Sequence, residues 1–560
     1  MENTAPLLGH DKVREGQELI TKYKSARSAV EARILSDESF WNTRHTDSIT
    51  DSRSSDMPFT ASTWMFSSIV NKHADMMESL PTPLCLAREK SDEESASALN
   101  SILPVIFDRA DFTSVYSDAQ YDKLKHGTAV YGVFWNPLLE NGLGDIEIKK
   151  INLLNIYPEP GVTNIEDSKN VFYASKVDRN DLLDSYPYIS ESDLDKSFFA
   201  QTDTDKVIVI DWYYKKRVGT KTHLHYIKFS GDALLYASEN DPDCIGGFYE
   251  HGKYPFVFDT LFRETSSCFG YGLISVTKGA QKYIDRLDQN ILERSIMSSK
   301  PRYLMKKNVG LNKDEFLNWN NPIVEVEGDL TEERFHAITL PELDSSVLTV
   351  RDSKIKEMRE VTSNRDVNHG TSESLTSGVA IAALQEAGSK VTRDIITNSF
   401  NAYESVVRLV IELIRQFYSD ERCFRITEPN GDGYRYLNYS AKGLREEKIT
   451  IGNDIFYRLP IFDIEVKAKT TSVFSRLAQN ETIINLYKLG FFKSENNAES
   501  ISALSSMELE GKKQILESLR NNKNSLSDTP DTQSSSDEKI KSKVSEGVKS
   551  AKKLYEVKND

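Results

Sequence analysis

The sequence holds only four cysteines in 560 residues, Cys85, Cys244, Cys268 and Cys423, and no two of them form a Cys-x-x-Cys pair. Neither a cysteine zinc site nor a disulfide framework is expected, and a reducing compartment suits the chain. Long apolar runs are also missing. The most apolar helical stretch, Val406 to Ile414, is interrupted by Arg408 and Glu412, too soon for a membrane span. The start Met1-Glu2-Asn3 does not lead into the basic and apolar regions of a signal peptide, so secretion is not expected either. Excess basic charge is lacking too, since 70 Lys and Arg stand against 85 Asp and Glu, a formal charge of -15. A protein that grips nucleic acid needs clustered cations to displace counterions from phosphates. Any DNA partner is therefore expected to be conducted rather than held.

Catalytic signatures are equally sparse. No Gly-x-x-x-x-Gly-Lys-Ser/Thr loop cradles a phosphate, which excludes a P-loop ATPase. Gly270-Tyr271-Gly272 has the start of a dinucleotide loop, but position 275 is Ser and no βαβ unit surrounds it, so a helix-start turn is expected. His223 and His225 alternate with apolar residues and share one strand face without a Cys or carboxylate at ligand spacing, which reads as an exposed face rather than a metal site. Asp203-x-Asp205 and Asp241-x-Asp243 sit in polar loops, where Asp is favoured as a turn former. Gly370-Thr371-Ser372-Glu373-Ser374 lacks the closing Gly of a nucleophile elbow. The expectation is a protein without enzymatic activity, cofactor or metal.

What is present is material for an ordered chain of about two to four domain equivalents. Hydrophobic residues make up 39% and aromatic residues 10%. Residues 1–57 are polar, with one helical stretch around Glu15 to Arg33, and read as a surface arm. Helices are expected from Phe59 to Leu80, ended by Pro81, and from Asp111 to His126, ended by Gly127. Strand signals follow at Ala129–Trp135, Ile146–Ile151, Val171–Val177, Val207–Tyr214, His223–Phe229 and Phe256–Phe262, rich in β-branched and aromatic residues. Between Ser275 and Lys300 apolar residues including Val276, Ala280, Tyr283, Ile284 and Leu287 recur three or four apart, predicting a helix of roughly 39 Å stopped by Pro301.

A compact insert comes next, with strands at Arg302–Lys306, Ile323–Val326 and Phe335–Ile338 and a short helix near Asp314 to Trp319. A helix capped by Asp344-Ser345-Ser346 continues to about Asn364. After the polar stretch Asp366 to Ser377, Val379 to Tyr418 predicts a helix of roughly 60 Å. Short strands around Tyr434–Leu437, Lys448–Ile451 and Phe462–Lys467 precede a helical region from Ser475. A Ser/Asp/Asn linker leads to Lys539–Lys558, an amphipathic tail with seven lysines.

This order of elements resembles the phage portal protein family. Local stretches resemble it as well: Gly127 to Trp135 followed by Tyr157-Pro158-Glu159-Pro160-Gly161 and by Tyr186-Pro187, with Glu159 where the family more often has Asp. Tyr254-Pro255-Phe256-Val257, Phe269-Gly270-Tyr271-Gly272 and Gln281 to Asp288 are similar to the family's lead-in to its first stem helix. Ser377-Gly378-Val379-Ala380-Ile381 is similar to the start of its long helix, and Arg476-Leu477-Ala478-Gln479 with Leu489-Gly490 to its return toward the crown. Together they cover residues 60–490.

The resemblance implies an α+β, portal-type subunit. Its parts would be an N-terminal arm (1–57), the first part of an α/β wing (58–272), a stem helix (273–300), a small α/β clip (301–342) and a second stem helix (343–365). A tunnel loop (366–377), a long helix with the second part of the wing (378–470), a helical crown (471–520) and a linker with basic tail (521–560) would follow. It further implies a homo-oligomeric ring, usually a dodecamer, at one capsid vertex of the virion, assembled in the host cytoplasm beside major capsid protein and scaffold. The clip would bind the large terminase subunit and later a head-completion or adaptor protein, with Lys313, Glu315, Asn318 and Trp319 as contacts. Asn368, His369, Gly370, Thr371, Ser372, Glu373 and Ser374 would touch double-stranded DNA in the channel, transiently and without sequence preference; they include no Lys or Arg. The competing readings are a non-channel helical adaptor or scaffold of a viral assembly and, third, a metal-dependent nuclease.

Overall fold

The computed structural model describes residues 9–42, 61–189, 194, 205–219, 221–244, 246–299, 302–305, 335–338, 344–363, 390–419, 421–427, 434–445, 447–451, 454–470, 480, 483–486 and 488. The chain divides into two compact units, Met1–Phe424 with Tyr436–Thr471 and Arg425–Arg435 with Ser472–Asp560; the architecture below is that of the first.

In chain order the main elements are α1 (His10–Ala26), α2 (Ser28–Trp41), α3 (Trp64–Met77), β1 (Ser79–Ala87), α4 (Glu93–Arg109), α5 (Phe112–His126), β2 (Thr128–Asn136), β3 (Asp145–Lys150), β4 (Ile156–Pro158), β5 (Asn170–Asp178), α6 (Arg179–Ser185), β6 (Lys206–Val218), β7 (Lys221–Ser230) and β8 (Ala233–Ala237). Then come β9 (Phe256–Thr260), β10 (Phe262–Arg263), β11 (Gly270–Tyr271), α7 (Leu273–Ser299), β12 (Arg302–Met305), β13 (Phe335–Ile338), α8 (Ser345–Val361), α9 (Lys390–Phe417), β14 (Arg422–Thr427), β15 (Tyr434–Tyr439), β16 (Glu447–Ile451), β17 (Asp454–Arg458) and β18 (Phe462–Thr470). Helix and strand are mixed as the α+β reading expects. The strand pairs with known register are antiparallel.

The five-stranded sheet runs β4-β5-β6-β7-β8. The middle of β6, Val207 to Tyr214, is apolar but for Asp211 because residues on both faces of that strand are covered. Ile210, Trp212 and Tyr214 of β6 pack with Val13, Ile20 and Tyr23 of α1, while Val207 and Val209 pack with Leu182 and Leu235. The three-stranded sheet β3-β2-β9 lies beside it, with Phe256 ring to ring against Tyr173 at 6.0 Å and Tyr213 at 5.5 Å. A second core gathers Phe40, Met65, Ile69, Leu124, Ile284, Ile355 and Ile395, which brings α2, α3, α5, α7, α8 and α9 to one place.

Several expectations need correction. Residues 9–42 form two helices instead of an arm with one, and both bury a face. Sequence pattern assigns nothing between Pro81 and Asp111, yet β1 and α4 occupy it. β1 accommodates Pro81 and Pro83 because among the described residues it pairs with β18 alone, so a missing N–H need not break a ladder. α4 carries Pro104 inside and still forms, since Leu99, Ile102, Leu103 and Ile106 bury one stripe. His225 is not on an exposed face: it is buried, its ring 5.6 Å from that of Tyr214, and burial lowers its pKa so the imidazole stays neutral.

Gly270-Tyr271-Gly272 is more than a helix-start turn. A Cβ on Gly272 would stand 2.2 Å from the Lys125 carbonyl oxygen, and one on Gly270 2.3 Å from that of Phe262. Gly127, at φ +87°, closes α5 as the sequence predicts, and its Cβ would meet the Tyr271 backbone at 2.1 Å. Three glycines thus let three backbone segments cross where α7 begins. Gly161 has nearly the same φ, +85°, but open space around it. Gly127→Ala should therefore cost on the order of 2 kcal/mol or more, from strain plus collision, and Gly161→Ala about 1 kcal/mol from strain alone. Denaturant melts of the two variants check this; equal losses would contradict the backbone crossing.

Candidate functional site

Helix α7 and helix α8 lie side by side and antiparallel, tied by an ion pair from Arg351 to Asp288, and Ile284 and Ile355 share the core at their root. Asp344 caps α8 by accepting the Ser346 N–H at 3.0 Å, as the sequence predicts. The chain between the two helices is closed at its base by β12 paired to β13, Arg302 facing Ile338. The pair is therefore a two-helix stalk rooted in the molecule at one end and carrying the insert at the other.

The periodicity identifies α7 correctly but misplaces its buried face. The buried positions are Leu273, Ile274, Thr277, Gln281, Ile284, Asp285 and Gln289, whereas Val276 and Tyr283 face out, Tyr283 at 60% exposure. The polar residues inside are satisfied. The Asp285 carboxylate accepts from the Ser62 N–H at 3.0 Å, its hydroxyl at 3.1 Å and the Gln281 amide at 2.9 Å. Gln281 in turn accepts the Met65 N–H at 3.2 Å. Leu348 and Val350 of α8 also face out, Leu348 at 45%.

Helix α2 splints the root. Its Arg33 donates to the Gly270 carbonyl at 2.8 Å and pairs with Glu264. Asp37 accepts from Ser275 at 2.7 Å and pairs with Lys278 of α7. Glu38 holds both Lys125 at 3.0 Å and His126 at 3.1 Å at the end of α5. The His126 hydrogen bond, aided by Lys125, pulls the Glu38 carboxyl down to about 2 against the opposing effect of burial.

Helix α9 is fastened by two buried lysines. The Lys123 ammonium, fully enclosed, stands 2.6 Å from the Asp259 carboxylate and donates to the Ser399 hydroxyl at 2.7 Å and the Ile395 carbonyl at 3.3 Å. Gln120 donates to the other Asp259 oxygen at 3.4 Å and accepts from Ser399 at 3.3 Å. Lys72 donates to Thr392 at 2.7 Å, two turns earlier on the same helix, and burial lowers its pKa despite Asp75. Burial, with the Asp259 charge second, raises the Tyr116 and Tyr131 hydroxyls, which stay neutral. Sequence reasoning missed both lysines. The signal was there: Lys123 falls on the stripe of Tyr116 and Ala119, and Lys72 on that of Met65 and Ile69.

Asn368, His369, Gly370, Thr371, Ser372, Glu373 and Ser374, like Lys313, Glu315, Asn318 and Trp319, lie outside the described residues. What is described is their flanks: α8 leads to the first group and α9 follows it, while β12 and β13 bracket the second. Among the described residues no three His, Cys, Asp or Glu side chains are grouped to hold a metal, and no helix is long and apolar enough to cross a membrane.

A family model described as Phage P22-like portal protein matches residues 73–544. No curated protein matches the chain in sequence. Among solved structures, a chain of the virion of a native gene transfer agent particle is similar at 9% identity and a TM-score of 0.39, covering 80% of this chain and 90% of that one.

Two outcomes test the root. Lys123→Met should destabilise by about 3–5 kcal/mol, since it strands a buried carboxylate, and adding Asp259→Leu should recover most of the loss. Urea unfolding of both variants decides it; a double variant worse than the single one would contradict the pairing. Glu38→Gln should lower stability at neutral pH, with the gap closing as pH falls from about 4.5 toward about 2. The sign follows because a depressed carboxyl pKa stabilises above the unfolded value and is lost through the folded one. A gap that stays constant across that window would assign Glu38 no ionic role.

Proposed function

We propose, from the premise that this chain belongs to the Phage P22-like portal protein family, that its copies close into a ring around a channel for double-stranded DNA at one capsid vertex of the virion. The observation that carries the ring is the set of apolar side chains that the stalk leaves exposed. Helix α7 leaves Val276 and Tyr283 exposed, and Leu348 and Val350 of α8 are exposed farther along the pair. Exposed apolar side chains on the helix pair suit contact with a neighbouring copy, and head-to-tail contacts of that kind close when the rotation permits. A dodecamer is the ring the family resemblance implies.

The DNA would pass without being held. A net charge of -15 disfavours a bore that binds phosphates, and the proposed tunnel-loop residues Asn368 to Ser374 carry no Lys or Arg. The insert at the end of the stalk, residues 301–342, would dock the large terminase subunit during packaging and a head-completion or adaptor protein afterwards, through Lys313, Glu315, Asn318 and Trp319. Major capsid protein and scaffold would surround the ring as it assembles in the host cytoplasm. The role is structural and requires no catalytic residue.

The double variant Tyr283→Glu, Leu348→Glu tests the interface. Both side chains are exposed in the subunit, so its thermal stability should change by less than about 0.5 kcal/mol per site, while sedimentation should show loss of the ring. Rings that persist unchanged would remove the stalk from the interface.

A further inference from the structure

The loop that joins β2 to β3, residues 137–144, lifts three leucines into solvent. Leu138, at 84% exposure, is the most exposed large apolar side chain among the described residues, and Leu139 and Leu143 are exposed on the same loop. The loop is held in this shape. Its backbone is left-handed at Glu140 (φ +51°), Asn141 (+57°), Gly142 (+90°) and Gly144 (+75°), and at the first two, which carry side chains, that conformation is strained. The Gly144 N–H donates to the Leu139 carbonyl at 3.0 Å and closes the loop on itself. The buried Arg422 guanidinium donates to the carbonyls of Gly144 at 2.7 Å and Leu143 at 3.0 Å while lying over the Tyr418 ring at 4.1 Å. Arg109 stands 3.6 Å from Glu140 and 3.5 Å from Asp145. Strain and clamp thus keep three leucines in water, where they add nothing to the stability of the lone subunit.

The same subunit has an apolar recess elsewhere. A cavity of about 540 Å³ is lined by the turn at residues 163–166, by β9 and by the middle of α9, with Ile165, Val257, Phe258 and Leu409 supplying apolar surface. A cavity of about 150 Å³ holds a benzene ring, so this one has room for more than one leucine side chain. The recess also suits the charge of the loop, whose one ionisable residue is Glu140. Lys253 precedes β9 and Arg263 follows it, both exposed and, among the described residues, without an ion-pair partner, so a cation stands toward either end of the strand. Strand register keeps loop and recess apart within one chain. β9 pairs with Thr128 to Gly132, whereas the loop follows Asn136, which pairs with Asp145. At about 3.3 Å per residue that is on the order of 13 Å of strand from Gly132 and 26 Å from Thr128.

We infer that in the ring the leucine loop of one copy seats in the β9–α9 cavity of the next copy. A head-to-tail ring of identical subunits needs two different, mutually complementary patches on each chain. An apolar projection bearing one acid and an apolar recess flanked by cations, at separate places on one subunit, form such a pair. The inference rests on the ring reading and adds to it a contact surface distinct from the stalk.

Photo-crosslinking of the full chain tests it. With Leu138→benzoylphenylalanine, illumination of the rings should give a covalent ladder of subunits whose joined peptides contain residues 163–166, 256–260 or 405–409. Leu138→Asp with Leu143→Asp should weaken assembly by about tenfold or more in sedimentation, and so should Thr163→Trp, which narrows the cavity. All three side chains are exposed in the subunit, so its melting temperature should hold, which separates a lost contact from a lost fold. Rings whose crosslinks map to other residues, or rings indifferent to these changes, overturn this contact and leave the ring standing. A chain that forms no ring even with capsid and scaffold proteins overturns the ring reading and this contact with it.

Discussion

The buried ion pair between Lys123 and Asp259 is the constraint around which the rest of the subunit is arranged. Neither charge has access to water, and either one alone inside the protein is strongly unfavourable. The pair is complete only when α5, β9 and α9 are docked together, because the remaining ammonium protons go to the Ser399 hydroxyl and the Ile395 carbonyl. Residues 123, 259 and 399 are far apart in the chain, so the contact fixes a long-range arrangement that apolar packing alone would leave free to slide. Lys72 on Thr392 repeats the device two turns earlier. Together they set the axial position of the helix that leaves the proposed tunnel loop.

From that anchor the geometry of the stalk follows. The crossing at Gly127, Gly270 and Gly272 brings the end of α5 against the start of α7, and α2 ties the region with acid–base contacts from Arg33, Asp37 and Glu38 on two adjacent turns. The Ser62, Gln281 and Asp285 network then fixes the rotation of α7 about its axis. That rotation turns Tyr283 outward. Tyr283 and Val276 exposed on that helix make sense for a stalk that meets another copy.

The elements that sequence pattern reveals are those with a clean period. α7, α8 and the described part of α9 emerge from apolar spacing, and α5 from Gly127 at its end, because each has enough turns for the period to register. β1 is hidden by Pro81 and Pro83, whose cost disappears at an edge that only the fold defines. α2 is hidden by its charges, since Arg33, Asp37 and Glu38 look solvated until their partners on distant elements are known. The facing of α7 is only partly legible in hydrophobicity, because Thr277, Gln281, Asp285 and Gln289 are buried alongside Leu273, Ile274 and Ile284. Family resemblance added the order of parts, and the match over residues 73–544 bears out the family. The residues proposed to touch DNA and terminase are legible only through that resemblance, since polar loop residues carry no period.

The central claim is that the subunit is one member of a closed ring, and particle images of the purified full chain with native mass measurement test it most directly. The account predicts rings with a central hole and a mass that is an integral multiple, near twelve, of 63.5 kDa. A chain that stays monomeric alone and together with capsid and scaffold proteins would contradict it.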